Sequence, residues 1–162
     1  MSNESQNTPQ ASMPQRAFRV VSQAIEDFSF ENINFAKPIL RNDSKQVPEI
    51  SIGINVKTSA LAENPDLHIV NITLKINSKL ADTNLFILEL SYGGIFEVIG
   101  FEEEIFLQIL NIQAPNLLFP FMRQIVADAT ANGGYPPLYL EPIDFAGLYF
   151  QNQETSKKQS AE

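Results

Sequence analysis

The chain has 162 residues, 44% hydrophobic and 19% charged, the balance of a single globular domain with a real core. Nineteen acidic residues against eleven basic ones give a formal net charge of −8, which opposes phosphate backbones and anionic lipid, so neither nucleic acid nor direct membrane insertion is expected. With no cysteine, a disulfide framework, thiolate zinc sites and a cysteine nucleophile are excluded, and a reducing compartment is a natural fit.

Residues 1–15 are Ser, Asn, Gln and Pro without a basic start and an apolar run, so they do not read as a secretory signal. No apolar run is read as approaching the roughly 18–20 residues that span a bilayer. The expectation is a cytoplasmic protein with a disordered tail over 1–15, a domain over 16–150 and a second disordered tail over 151–162. The last of these, QNQETSKKQSAE, lacks the apolar residues to offset its ordering entropy.

From Arg16 to Gly100 the period is two. A first strand runs from about Val20 to Glu31, and a long connection containing Lys37-Pro38 and Asp43-Ser44 leads on, a candidate crossover. In the second strand Ile50, Ile52, Ile54 and Val56 alternate with Glu49, Ser51, Asn55 and Lys57; in the third, Val70, Ile72, Leu74 and Ile76 alternate with Asn71, Thr73, Lys75 and Asn77. Strands with one wet face read this way, and antiparallel sheets permit it. Glu63-Asn64-Pro65-Asp66 and Ala81-Asp82-Thr83-Asn84 supply turns, the second leading into a fourth strand, Leu85 to Tyr92.

After Gly100 the pattern turns helical. Glu102-Glu103-Glu104 places negative charge at a helix start, followed by Ile105, Leu107, Ile109 and Ile112. Ala114-Pro115-Asn116 is read as a stop, with Pro115 opening a second helix that carries Leu118, Met122, Ile125, Val126 and Ala129. Pro120 requires that helix to start later or to bend. It ends at Asn132-Gly133-Gly134, and a Pro-rich connection reaches an amphipathic segment, Ile143 to Phe150. The fold class is α+β: a four-stranded antiparallel sheet with helices packed on one face.

Groups that could carry chemistry each have a plainer structural reading. His68, the only histidine, lies in a strand with no second His and no Cys beside it, so a structural role outweighs general-base or metal chemistry. Gly93-Gly94 reads as a bulge or bend rather than a phosphate loop. The three consecutive glutamates point around a helix rather than toward one centre. On the strands, Asp27, Ser29 and Glu31 share one face opposite Phe28 and Phe30, and Glu89 shares a face with Leu85 and Ile87. That pattern suits a solvated sheet face; aliphatic residues beside acids also suit docking of a basic partner. The 12 Phe residues go either into the core alone or also into an oligomer interface or apolar groove.

Several blocks together resemble one family. They are Asp27-Phe28-Ser29-Phe30-Glu31, Gly93-Gly94-Ile95-Phe96, Ala114-Pro115-Asn116-Leu117-Leu118-Phe119-Pro120-Phe121 with Arg123, Gly134-Tyr135-Pro136-Pro137-Leu138, and Leu140-Glu141-Pro142-Ile143-Asp144-Phe145 with Leu148 and Phe150. In this order, over about residues 17–150, they look like the protein-export chaperone SecB. The resemblance implies a homotetramer, a dimer of dimers, that binds unfolded precursor proteins without ATP and passes them to the export motor SecA. It implies no catalytic residue, no cofactor and no metal. It assigns SecA docking to Asp27, Glu31, Ile87 and Glu89, and a client groove between the crossover and the second long helix to Phe35, Ile39, Leu40, Phe121 and Ile125. Where the family commonly has Cys, this chain has Leu88 and Ala114. Two other readings stand beside it: a small-molecule-binding or enzymatic α+β oligomer using His68, and a SecB-like chaperone dedicated to one partner.

Overall fold

A computed structural model describes residues 15–36 and 47–159. Four strands, β1 (Ala17–Asn32), β2 (Glu49–Leu61), β3 (Asn64–Leu80) and β4 (Thr83–Ile99), precede α1 (Glu103–Gln108), a π-helical turn (Ile109–Gln113), α2 (Ala114–Asn132) and α3 (Phe145–Gln159). The strands form one antiparallel sheet in the order β1-β4-β3-β2. β2, β3 and β4 are the expected meander. β1 lies beside β4, so the connection from β1 to β2 must pass from one sheet edge to the other. Its central residues lie outside the described ones; at its start, the Ile33 and Asn34 amides donate to the Leu85 carbonyl at 2.9 and 3.1 Å.

Alternation decides which side of the sheet is dry. Val70, Ile72, Leu74 and Ile76 of β3 are buried opposite Gly94, Tyr92, Leu90 and Leu88 of β4, all on one face. Against them lies a row of helix residues four apart: Leu110, Ala114, Leu118, Met122, Val126 and Thr130, all buried. Residues at that spacing sit above one another on a helix, so the row forms a seam along the sheet. The other face carries Asn71, Thr73, Lys75 and Asn77 next to Ser91, Glu89 and Ile87.

Two local expectations are corrected. Gly93 and Gly94 sit in unbroken register with β3; the bulges fall on the neighbouring strand, between Val20 and Ser22 and between Ile25 and Asp27. The glycines serve close approach instead. A Cβ on Gly94 would lie 2.7 Å from Phe96 Cε2 and 2.8 Å from Leu118 Cδ2. α2 can seat on the sheet only because that position has no side chain.

Ala114-Pro115-Asn116 likewise does not stop the first helix. The rod continues from Glu103 to Asn132 through the π turn, where the Ala114 amide donates to Ile109 O, five residues back. The wider turn shifts the ladder just where Pro115 has no N–H to offer. Asn116 Nδ2 caps the Ile112 carbonyl at 2.9 Å, and Pro120 sits inside the helix. By length and composition this rod could cross a membrane, contrary to the apolar-run expectation; in the fold its buried row packs on the sheet.

The C-terminal expectation is corrected too. α3 runs to Gln159, so the tail expected from Gln151 is helical over most of its length. Phe145 is buried edge-on to Phe119, with ring centroids 5.9 Å apart, and Asp144 Oδ1 caps the start by accepting from the Gly147 amide at 2.9 Å. Once that turn is nucleated by packing, each further residue adds a backbone bond at little cost. Residues 1–14 lie outside the described ones.

Candidate interaction surfaces

β-ladder register assembles the first surface. Glu31 lies opposite Ile87, Ser29 opposite Glu89 and Asp27 opposite Ser91, while Lys75 flanks Glu89 from the β3 side. Asp27, Glu31, Ile87 and Glu89 therefore share the uncovered face, as the alternation requires. Lys75 Nζ donates to Glu89 Oε1. The Lys75 ammonium is held above its usual pKa, first by that hydrogen bond, then by the charge of Glu89 and less by that of Glu31. At the far end of the same face, Arg19 pairs with Glu97 at 2.5 Å.

One acid on this surface was not singled out from the sequence. The bulge between Ile25 and Asp27 turns Glu26 onto the polar face, where its carboxylate accepts from Asn71 Nδ2 and, at 3.2 Å, from Ser91 Oγ. Its Oε1 lies 2.7 Å from where a Gly93 Cβ would be. Strict alternation had left Glu26 on the opposite side from Asp27. The doubled Ile25-Glu26 step is the only local sign of the bulge, and a bulge has no residue signature strong enough to read alone.

The second surface is apolar and lies under the sheet. A single helix is about 10 Å wide, while four strands at about 4.8 Å spacing span more than about 14 Å, so α2 covers the central strands and leaves the outer ones partly open. Ile25 and Phe28 of β1 are 49% and 41% exposed, and Ile50 and Ile52 of β2 are 39% and 47% exposed. On the β1 side a groove of about 530 Å³ runs between the strand and α2, lined by Ile25, Phe28, Phe30, Ile125 and Ala129. On the β2 side a groove of about 390 Å³ is lined by Ile50, Ile52, Ile54, Tyr139, Leu140 and Ile143. The composition question thus resolves toward grooves in addition to the core.

The groove residues expected from the sequence are only partly brought together. Ile125 lines the β1-side groove. Phe121 does not line it; it is exposed and stacked on Tyr92 with centroids 6.3 Å apart. Phe35 is 65% exposed at the start of the crossover. Ile39 and Leu40 lie outside the described residues. Ile25 and Phe28 both line the groove: Phe28 lies on the side that alternation separates from Asp27, and the bulge after Ile25 brings Ile25 to that side too, opposite Tyr92.

His68 is buried, its ring edge-on to Phe106 at 4.8 Å, within the ladder between Ala60 and Phe96. Among the described residues no three His, Asp or Glu side chains cluster as metal ligands would. Glu102, Glu103 and Glu104 are exposed at the start of α1.

With these surfaces defined, the chain can be compared with known proteins. Residues 10–156 match the family model described as preprotein translocase subunit SecB. A protein-export protein SecB from Sinorhizobium medicae is 43% identical over 147 residues, covering 91% of this chain and 85% of that protein. One from Rhodopseudomonas palustris is 40% identical over 161 residues, 98% of each. Among solved structures, a Mycobacterium tuberculosis SecB-like chaperone in complex with an antitoxin peptide superposes with a TM-score of 0.63 at 15% identity, over 78% of this chain and 90% of that one, a likeness of fold. Sequence, sheet order and the helix seated on one face agree: the chain belongs to the SecB family.

Proposed function

We propose that this protein is an ATP-independent holdase that keeps precursor proteins unfolded for export and delivers them to the SecA motor. The observation that carries it is the two-sided sheet: apolar grooves flanking α2 on one face, an acid-rich polar surface on the other. Unfolded chains offer apolar side chains and unpaired backbone. The grooves meet the first, and the long edge strands β1 and β2 can meet the second. Holding a client in this way forms and breaks no covalent bond. It is spread over many weak contacts, which allows many sequences to bind.

Asp27, Glu31, Glu89 and Ile87 form the surface for SecA, and a basic segment is the complementary partner. The working assembly is a dimer-of-dimers homotetramer in the cytoplasm. Exposed Leu107, Leu117 and Phe121 on the helical rod and the open edges of the sheet are surfaces that copies of the chain can bury. The relatives named as protein-export proteins support export over service to a single partner. The likeness to the antitoxin-peptide complex rests on fold alone.

Two measurements test the reading. Stoichiometric tetramer should suppress aggregation of a slow-folding client, and no suppression refutes the holdase. Glu89→Lys or Glu31→Lys should weaken SecA binding, most at low salt, with the tetramer intact; unchanged affinity in a folded variant removes the docking assignment.

A further inference from the structure

Two features of the sheet give Glu26 a seat that strict alternation denies it: the bulge after Ile25, and the missing side chain at Gly93. A Cβ on Gly93 would come within 2.7 Å of Glu26 Oε1, so the carboxylate lies in a notch that a side chain there would fill. Asn71 Nδ2 donates to it from β3, and Ser91 Oγ donates from β4 at 3.2 Å. The residue is exposed on the polar face.

Both donors are neutral, so they fix the carboxylate without cancelling its charge. Glu89 and Glu97 on the same face share theirs with cations, Lys75 and Arg19. A carboxylate already held in place loses little side-chain freedom when a cation arrives. Its position also gives the surface a direction. Ile87, Glu89, Ser91 and Gly93 follow one another along the wet side of β4. At about 3.3 Å per residue that strip is roughly 20 Å long, with Ile87 at one end and the Glu26 notch at the other.

Resting on the docking reading above, we propose that Glu26 is a specificity-determining residue of the surface that receives the export motor. A long basic side chain of the partner seats on its carboxylate. An apolar side chain of the same segment, about six residues away when extended, covers Ile87. The bound segment therefore runs along β4 rather than across the sheet, and Asp27 and Glu31 flank it from β1.

The test titrates SecA by calorimetry into the full-length wild type, Glu26→Gln, Gly93→Ala, Glu63→Gln and Glu89→Lys, at about 50 and 300 mM salt. Glu26→Gln keeps an oxygen for Asn71 and Ser91, so it removes the charge and leaves the ladder alone. It should weaken binding about three- to tenfold at the lower salt and less at the higher. Gly93→Ala keeps the charge but moves the carboxylate out of its notch, and should lose a comparable part. Glu63→Gln removes an equal charge from the turn between β2 and β3, and should bind as the wild type does. If Glu26→Gln matches Glu63→Gln while Glu89→Lys is weakened, the proposal is overturned and the docking surface stands. Full affinity in Gly93→Ala overturns it too, because the charge would then act without its seat. Wild-type affinity in Glu89→Lys removes the docking surface itself.

Discussion

Gly93 and Gly94 are neighbours on β4 whose Cα hydrogens point to opposite faces, and alanine should separate them sharply. At Gly94 the new methyl would lie 2.7 Å from Phe96 Cε2 and 2.8 Å from Leu118 Cδ2. Ordinary carbon contacts are about 3.5–4 Å, so something must retreat by nearly an ångström. Both neighbours are fully buried, and Leu118 belongs to the row that seats α2. Overpacking of this kind costs about 1–3 kcal/mol. At Gly93 the methyl would meet Glu26 Oε1 at 2.7 Å and Asn71 Nδ2 at 3.2 Å, ends of side chains on the wet face that can swing aside. Removing a strand glycine there returns about 0.5–1 kcal/mol of backbone entropy, so Gly93→Ala should be near neutral. Urea unfolding at fixed protomer concentration measures both. Leu118→Val in the Gly94→Ala background should recover part of the loss. If Gly93→Ala is the costlier change, or the two costs are equal, the seating of α2 on the sheet is wrong.

Tyr135 Oη lies 2.8 Å from Asn32 Oδ1 and 3.3 Å from the Leu85 carbonyl, tying the end of α2 to the β1 and β4 termini, so Tyr135→Phe should cost about 0.5–1.5 kcal/mol in the same urea assay. Burial raises the Tyr135 phenol above its usual 10.0, so the folded state holds this proton longer than the unfolded one. That contribution is full below about pH 10 and is lost as pH rises toward the folded pKa; melting curves of Tyr135→Phe should lack this share of the alkaline decline. Lys75→Met frees the carboxylates of Glu89 and Glu31 from their cation. SecA should then bind several-fold tighter at low salt, with the gain gone at about 1 M, and weaker binding would show that Lys75 contacts the partner itself. Phe28→Ser removes an exposed groove wall that is not part of the buried core, so client affinity should fall while the melting temperature moves by no more than about 2–4 °C.

Some of this architecture is written locally. Val70, Ile72, Leu74 and Ile76 alternate with polar residues because a strand turns successive side chains to opposite faces, and that alone places Glu89 and Ile87 on the wet side. Asp27, Ser29 and Glu31 are legible for the same reason. That no disulfide, thiolate site or paired-histidine metal site can form within the chain also follows from residue types alone, since it has one histidine and no cysteine. The family blocks are local as well, because each is a run of neighbours in the chain.

Other features depend on what lies across the structure. Glu26 joins the acidic face through a bulge that exists only as a mismatch between β1 and β4. Pro115 reads as a helix stop until the π turn before it shifts the hydrogen bonds it cannot make. The helix beyond Gln151 forms because Phe145 is packed on Phe119, a contact between residues far apart in sequence. The grooves arise from a ratio of widths, one helix against four strands. Sequence periodicity determines which face a residue takes, because that is a property of its own backbone. What covers that face and how far the cover reaches are properties of pairs, and only the tertiary structure decides them.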